Sequence, residues 1–220
     1  MRRSEGLGRV PCGRQTAPVT PSGQRSLEDG LFMLPEQTKT YRNLITLKDG
    51  VQVLLRPMTR DDCQTLTDLF ASANEEDTLY LRDNVKDPAV PKGWCETLDY
   101  SRVLPLMALV KDRAVGQGSL HFGSGPERHI GKVRLFLAKD FRGRGLGTKM
   151  LNSLTDLARK HNLHLLVAEI VTDQAKVIRA FEDIGFQPCC TLRDYFMLRD
   201  GDVRDVAILM LRLREPGHEF

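Results

Sequence analysis

One stretch constrains the fold more than any other. Between Ile130 and Phe186 an apolar strand pattern (Ile130–Ala138) runs into a glycine-rich segment, then an amphipathic helix pattern from Gly147 to about His161. A nearly continuous apolar run follows (Leu163–Val171), and then a second helix carrying Val177, Ile178, Phe181 and Ile184 at helical spacing. A continuous apolar strand implies helices on both faces of a sheet. Gly185 sits where a left-handed residue ends the second helix. The chain is thereby confined to a mixed α/β domain with a strand–loop–helix junction at its centre.

That junction, Lys139-Asp140-Phe141-Arg142-Gly143-Arg144-Gly145-Leu146-Gly147-Thr148, predicts an anion site. The first N–H groups of a helix lack intrahelical partners and coincide with the positive end of its dipole. Gly143, Gly145 and Gly147 allow close backbone approach, and Arg142 and Arg144 can add charge-assisted hydrogen bonds. The spacing fits neither a GxxxxGK[ST] phosphate loop nor a GxGxxG dinucleotide loop. A solvated helix cap and an RGRG nucleic-acid contact are the alternatives.

The rest of the chain fills in around this centre. Val51–Arg56 reads as a strand, and Thr59 with Asp62 as a capping box for a helix with Cys63, Leu66, Leu69, Phe70 and Ala73 on one face. Residues 75–100 read as loop with room for a short helix. Leu104–Lys111 and Ala114–Phe122 form a hairpin turning at Asp112-Arg113, and Cys189–Leu198 and Val203–Leu213 another at Asp200-Gly201. Residues 1–36, rich in Gly, Pro, Ser and Arg, read as a disordered tail in which Met33 is a candidate start. The domain covers 37–215, with 216–220 a C-terminal tail.

With 41% hydrophobic and 28% charged residues in 220, the chain can build one good-sized core. The net charge of +3 suggests a polyanion partner only as a total. Arg2, Arg3, Arg9, Arg14 and Arg25 against Glu5 give the first 25 residues +4, which leaves −1 for the remainder. Neither nucleic acid nor a membrane is the expected partner. No stretch reaches the roughly 20 apolar residues of a spanning helix. Five scattered cysteines without a CxxC pair (Cys12, Cys63, Cys95, Cys189, Cys190) point to reduced thiols and a cytoplasmic protein rather than a disulfide framework or zinc site. His161 and His164 lack companion ligands, so no metal is expected.

Three segments resemble the GNAT acyltransferases. Arg142-Gly143-Arg144-Gly145-Leu146-Gly147 has the R/Q-x-x-G-x-G/A form of that family's acetyl-coenzyme A loop. Gln174–Phe186 (QAKVIRAFEDIGF) resembles its second helix, and Leu54–Asp62 its first strand and helix start. The resemblance spans about residues 44–213. It implies a twisted mixed sheet of six or seven strands, splayed beside the loop, with helices on both faces.

It further implies that the amides of Arg142–Thr148 hold the pyrophosphate of acetyl-CoA and that Leu135, Phe136 and Leu137 pair with its pantetheine arm. Gln174 and Phe181 flank it from the second helix. The implied chemistry is direct transfer of an acetyl group to a primary amine, of a small molecule or a protein. The chain departs from the family pattern in three places. Phe181 stands where many members carry a proton-donating Tyr, Gln174 replaces an Asn, and Val133–Ala138 holds no Glu base. Glu169, in an apolar strand where burial would raise its pKa, is the candidate base, the alternative being an ion pair with Arg or Lys. Tyr195 is the candidate acid. These departures keep open a second reading, a non-catalytic acyl-CoA-sensing module. The acids Glu75, Glu76, Asp77 and Asp83 are candidates to attract the amine, and Trp94 to wall its site. The apolar last strand would support a homodimer if its edge were exposed.

Overall fold

Hairpin connections build most of the sheet. In the computed structural model, which describes residues 38–214, the chain runs β1 (Asn43–Thr46), β2 (Gln52–Pro57), α1 (Cys63–Ala71), α2 (Glu75–Thr78) and α3 (Ala89–Glu96). It continues through β3 (Val103–Val110), β4 (Arg113–Phe122), β5 (Ile130–Leu137), α4 (Leu146–Lys160), β6 (Leu165–Val171), α5 (Ala175–Glu182), β7 (Gln187–Met197) and β8 (Val203–Arg212). The eight strands lie in the order β1-β2-β3-β4-β5-β6-β8-β7. This is one strand more than the upper expectation. β1 is four residues long and pairs antiparallel with β2 from Asn43↔Leu55 to Thr46↔Gln52. The tails expected over 1–36 and 216–220, with Met33 and Cys12, lie outside the described residues.

Adjacent strands are antiparallel except β5 and β6, which run parallel because α4 carries the chain across between them. Their ladder holds only Ile130↔Leu165, Gly131↔Leu166 and Lys132↔Val167. Beyond Lys132 and Val167 the two strands part, which is the expected splay.

Helix α4 packs on one face of the sheet. Its buried Met150, Leu151, Leu154, Leu157 and Ala158 match the predicted stripe. The approach is close enough that a Cβ on Gly118 would lie 3.0 Å from Leu154 Cδ1. The opposite face takes α1 and α3, where the Phe70 ring meets Phe136 at 5.0 Å and Trp94 at 5.8 Å. The expected capping box forms, with Asp62 Oδ2 accepting from Thr59 N–H at 2.7 Å. The same carboxylate takes both ends of the Arg56 fork at 2.6 Å.

Several sequence expectations shift. The β3–β4 turn is Lys111-Asp112, one residue early, with Lys111 at φ 54 and a register break at Ala108/Leu109 absorbing the difference. Residues 75–100 hold two helices whose formation rests on an Asn74/Asp77 capping box and on Trp94 packing against Phe70. Val177 is 39% exposed, so α5 buries only Phe181 fully. The last strand is not an edge: β8 is paired on both sides, by β6 and by β7. β7 takes the edge, and Cys189 and Cys190 are exposed there.

Candidate active site

The predicted anion loop ends β5. Lys139–Phe141 form a single 3-10 turn, Gly145 caps α4 with φ 87, and the first helical bond runs from Lys149 N–H to the Gly145 carbonyl. The N–H groups of Leu146, Gly147 and Thr148 therefore precede the α4 ladder and have no acceptor within the helix. A β-carbon at Gly145 would face strain in this left-handed geometry. At Gly143 a Cβ would meet nothing within 4 Å, so the loop's outer side is open.

The two arginines do not reach outward as expected. Arg142 donates to the Leu137 carbonyl through Nε and Nη2 at 3.1 and 3.0 Å and is ion-paired with Asp77. Arg144 is ion-paired with Asp49, donates to the Asp140 carbonyl at 3.2 Å, and stacks over Phe141 with its guanidinium carbon 4.3 Å from the ring centroid. Leu146 puts its side chain in the core. The loop thus offers an anion backbone amides within a positive field, while its arginines hold it in shape. Asp77 is spent on Arg142, and Glu75 and Glu76 stand exposed on α2.

Next to the loop, Leu135, Phe136 and Leu137 lie beyond the last β5–β6 pair, so their edge toward β6 has no ladder partner. Across that gap, Gln174 caps α5 and Phe181 is buried with its ring 5.0 Å from Phe186. Phe181 is a packing residue without a proton to donate.

On the other face of β5 lies a cavity of about 320 Å³. Its walls include Phe70, Trp94 and Phe136, with Arg82, Asp83 and Arg134 among its charged groups. Leu135 and Phe136 belong both to this wall and to the unpaired strand edge, so cleft and cavity meet at these two residues. Ser119 and His121, on β4, also face the cavity, with Ser119 Oγ 2.9 Å from His121 Nε2. Burial, then the charges of Arg134, Arg82 and Lys132, push the His121 imidazole down to about 4. It is therefore neutral at pH 7.

Neither candidate catalytic group behaves as its sequence context suggests. Glu169 accepts from Lys132 Nζ at 3.0 Å and is ion-paired with Arg82. Burial alone would raise its carboxyl, but the Lys132 hydrogen bond and the charges of Arg82, Lys132 and Arg134 outweigh it and hold the pKa below the ordinary value. The ion-pair alternative is the one the structure adopts, which corrects the expectation of a raised pKa. Tyr195 is 52% exposed on edge strand β7, separated from β6 by all of β8, and does not line the cavity.

Residue-by-residue reading overlooked Arg82, Ser119, His121 and Arg134. A signal was present: Gln117, Ser119 and His121 alternate with Gly118 and Leu120, and Lys132 and Arg134 with Val133. Polar residues at period two in an otherwise buried strand mark a face turned toward something other than core. Among the described residues no group of three or more potential metal ligands gathers, and no helix is long and apolar enough to cross a membrane.

Comparison with known proteins gives the arrangement its context. Residues 66–186 match the model of the acetyltransferase (GNAT) family. An L-methionine sulfoximine/L-methionine sulfone acetyltransferase of Salmonella typhimurium is 26% identical over 166 residues, which cover 73% of this chain and 95% of that one. The GNAT domain of S. lividans PAT superposes with a TM-score of 0.66 at 19% identity, covering 78% of this chain and 97% of that one. The protein yncA of Salmonella typhimurium, solved with acetyl-CoA, gives 0.65 at 22% identity over 75% and 96%. The matched region runs from α1 to the end of α5 and contains the glycine loop, the parted strands and most of the cavity wall, which makes this chain a member of the GNAT acetyltransferase family.

Proposed function

We propose that the protein transfers an acetyl group from acetyl-CoA to a primary amine, both held in one ternary complex. The observation that carries this reading is the meeting of cleft and cavity at Leu135 and Phe136. The cleft side suits the coenzyme. Free amides at Leu146, Gly147 and Thr148 fit a pyrophosphate, and the unpaired edge at Leu135–Leu137 fits the amides of a pantetheine arm, as an added strand would. A related fold has been solved with acetyl-CoA. When bound, the coenzyme supplies a thioester whose C–S bond breaks as the N–C bond to the amine forms.

The chain's own residues supply position and field. The β5 edge would align one reactant, and the cavity holds the other within reach of it, converting a bimolecular encounter into a local one. Arg134, Arg82 and Lys132, the cations that keep His121 neutral, would equally lower the pKa of an ammonium placed among them. A neutral, nucleophilic amine is thereby favoured, with its proton passing to solvent. Phe181 offers no proton, so the thiolate leaves without a phenol from α5.

The test uses the full chain. Saturating acetyl-CoA, at about 100 times its Kd, should stabilise the fold by roughly 2.7 kcal/mol. Thiol release with a panel of amines, products being weighed by mass spectrometry, should reveal an acetylated acceptor. Failure to bind acetyl-CoA would refute the proposal, and tight binding with no turnover on any amine would favour the acyl-CoA-sensing module instead.

A further inference from the structure

We infer that the acceptor is an α-amino acid with an uncharged, mainly apolar side chain, and that Arg134 receives its carboxylate. This rests on the reading of the cavity as the acceptor site.

The cavity's charges are unequally committed. Arg82 is held by Glu169, and Arg102 stands at the exposed rim, its charge felt by Asp99. Arg134, also exposed, lines the cavity and makes neither a hydrogen bond nor an ion pair among the described residues. Burial, followed by the charge of Arg82, holds its pKa below the usual arginine value despite the opposing influence of Asp83 and Glu169. The nearby carboxylates thus leave it under-compensated. A guanidinium is a planar fork suited to a carboxylate taken end-on. Lacking such a partner, it is free to receive a bound anion.

Position along β5 sets where the amine must be. Arg134 precedes Leu135, the first residue shared by cavity and cleft, and faces the cavity with Phe136 at period two. A carboxylate on Arg134 keeps an amine one carbon away beside the strand edge where the thioester would lie. Asp83, also on the cavity wall, can attract the ammonium as it enters. Part of the wall, including Phe70, Trp94, Leu98 and Phe136, is apolar and provides for the side chain, while Gln117, Ser119 and His121 add uncharged polar lining. A volume of about 320 Å³ suits a small molecule.

The experiment compares leucine, methionine and phenylalanine with their carboxamides and with the matching decarboxylated amines, using the full chain and acetyl-CoA. The acids should exceed the amides in kcat/KM by about 10-fold or more, because only the acid gains a charge-assisted pair with the guanidinium. Arg134→Met should collapse that ratio toward one, and Arg134→Lys, which keeps charge but loses the fork, should fall between. Retained thermal stabilisation by acetyl-CoA verifies that each variant is folded. Equal turnover of acids and amides, or an unchanged ratio in Arg134→Met, would overturn the inference while leaving amine acetylation intact. If no amine is turned over, the acetyl-transfer proposal itself falls. Binding of N-acetylphenylalanine then decides the carboxylate subsite: stabilisation of wild type but not of Arg134→Met upholds it, and no stabilisation of either removes it.

Discussion

Lys132 on β5 and Glu169 on β6 are joined, Nζ to Oε1 at 3.0 Å, at the point where the two strands begin to part. Lys132 belongs to the last ladder pair, opposite Val167, and Glu169 lies two residues past it, so the pair spans the top of the gap. It gives Glu169 a positioning task at the root of the cleft.

Replacing Glu169 by Gln should therefore leave the shape of the kcat/KM–pH profile unchanged, whereas loss of a general base would remove its acid limb. Stability should fall by about 1 kcal/mol, a small figure because the partner cations are substantially solvated. Urea unfolding together with the pH profile checks both expectations.

At Gly145, with φ 87, Gly145→Glu should cost about 1 kcal/mol or more in stability and abolish thermal stabilisation by acetyl-CoA. It places a negative charge beside the free amides of α4. Gly145→Asn tolerates the left-handed backbone without adding charge, and should retain most of the ligand-induced shift.

Asp62 is 7% exposed at its side chain and holds the Arg56 fork. Burial pushes its carboxyl up, but the bonds from Arg56 and from Thr59 outweigh burial and depress it. A depressed folded value means the pair's stabilisation is complete above the unfolded carboxylate pKa of about 3.9 and is lost as pH falls through the lower folded value. Asp62→Asn should cost about 3 kcal/mol at pH 7 and flatten that acid slope. Unfolding free energies measured from pH 5 to 2 test it.

His121 obeys the same sign. Its folded pKa near 4 lies below the ordinary 6.5, so its contribution is full above pH 6.5 and declines as pH falls toward 4. The difference in stability between wild type and His121→Gln should narrow over that window by up to about 2 kcal/mol. A difference independent of pH would show that the imidazole is not held neutral.

Much of this protein is legible from local pattern. The α4 stripe, the capping box at Thr59 and Asp62, the β7–β8 hairpin and the glycine loop all follow from the 3.6 and 2 periodicities and from backbone chemistry, which act within a few residues. The parting of β5 and β6 came through family resemblance, and no periodicity carries it. What the sequence left undetermined depends on groups distant along the chain. Residues 75–100 have no clear period because α3 is held through Trp94 against Phe70. Glu169 was readable only as a carboxylate in an apolar strand, and whether burial or pairing set its pKa depended on Lys132, 37 residues earlier, and Arg82, 87 residues earlier. Arg142 and Arg144 looked like ligand contacts until Asp77 and Asp49 proved to occupy them. Local sequence determines what each element can become, because hydrogen bonding and apolar periodicity are short-ranged. Which charges are neutralised by a partner is decided by tertiary structure, because an electrostatic partner need be near only in space.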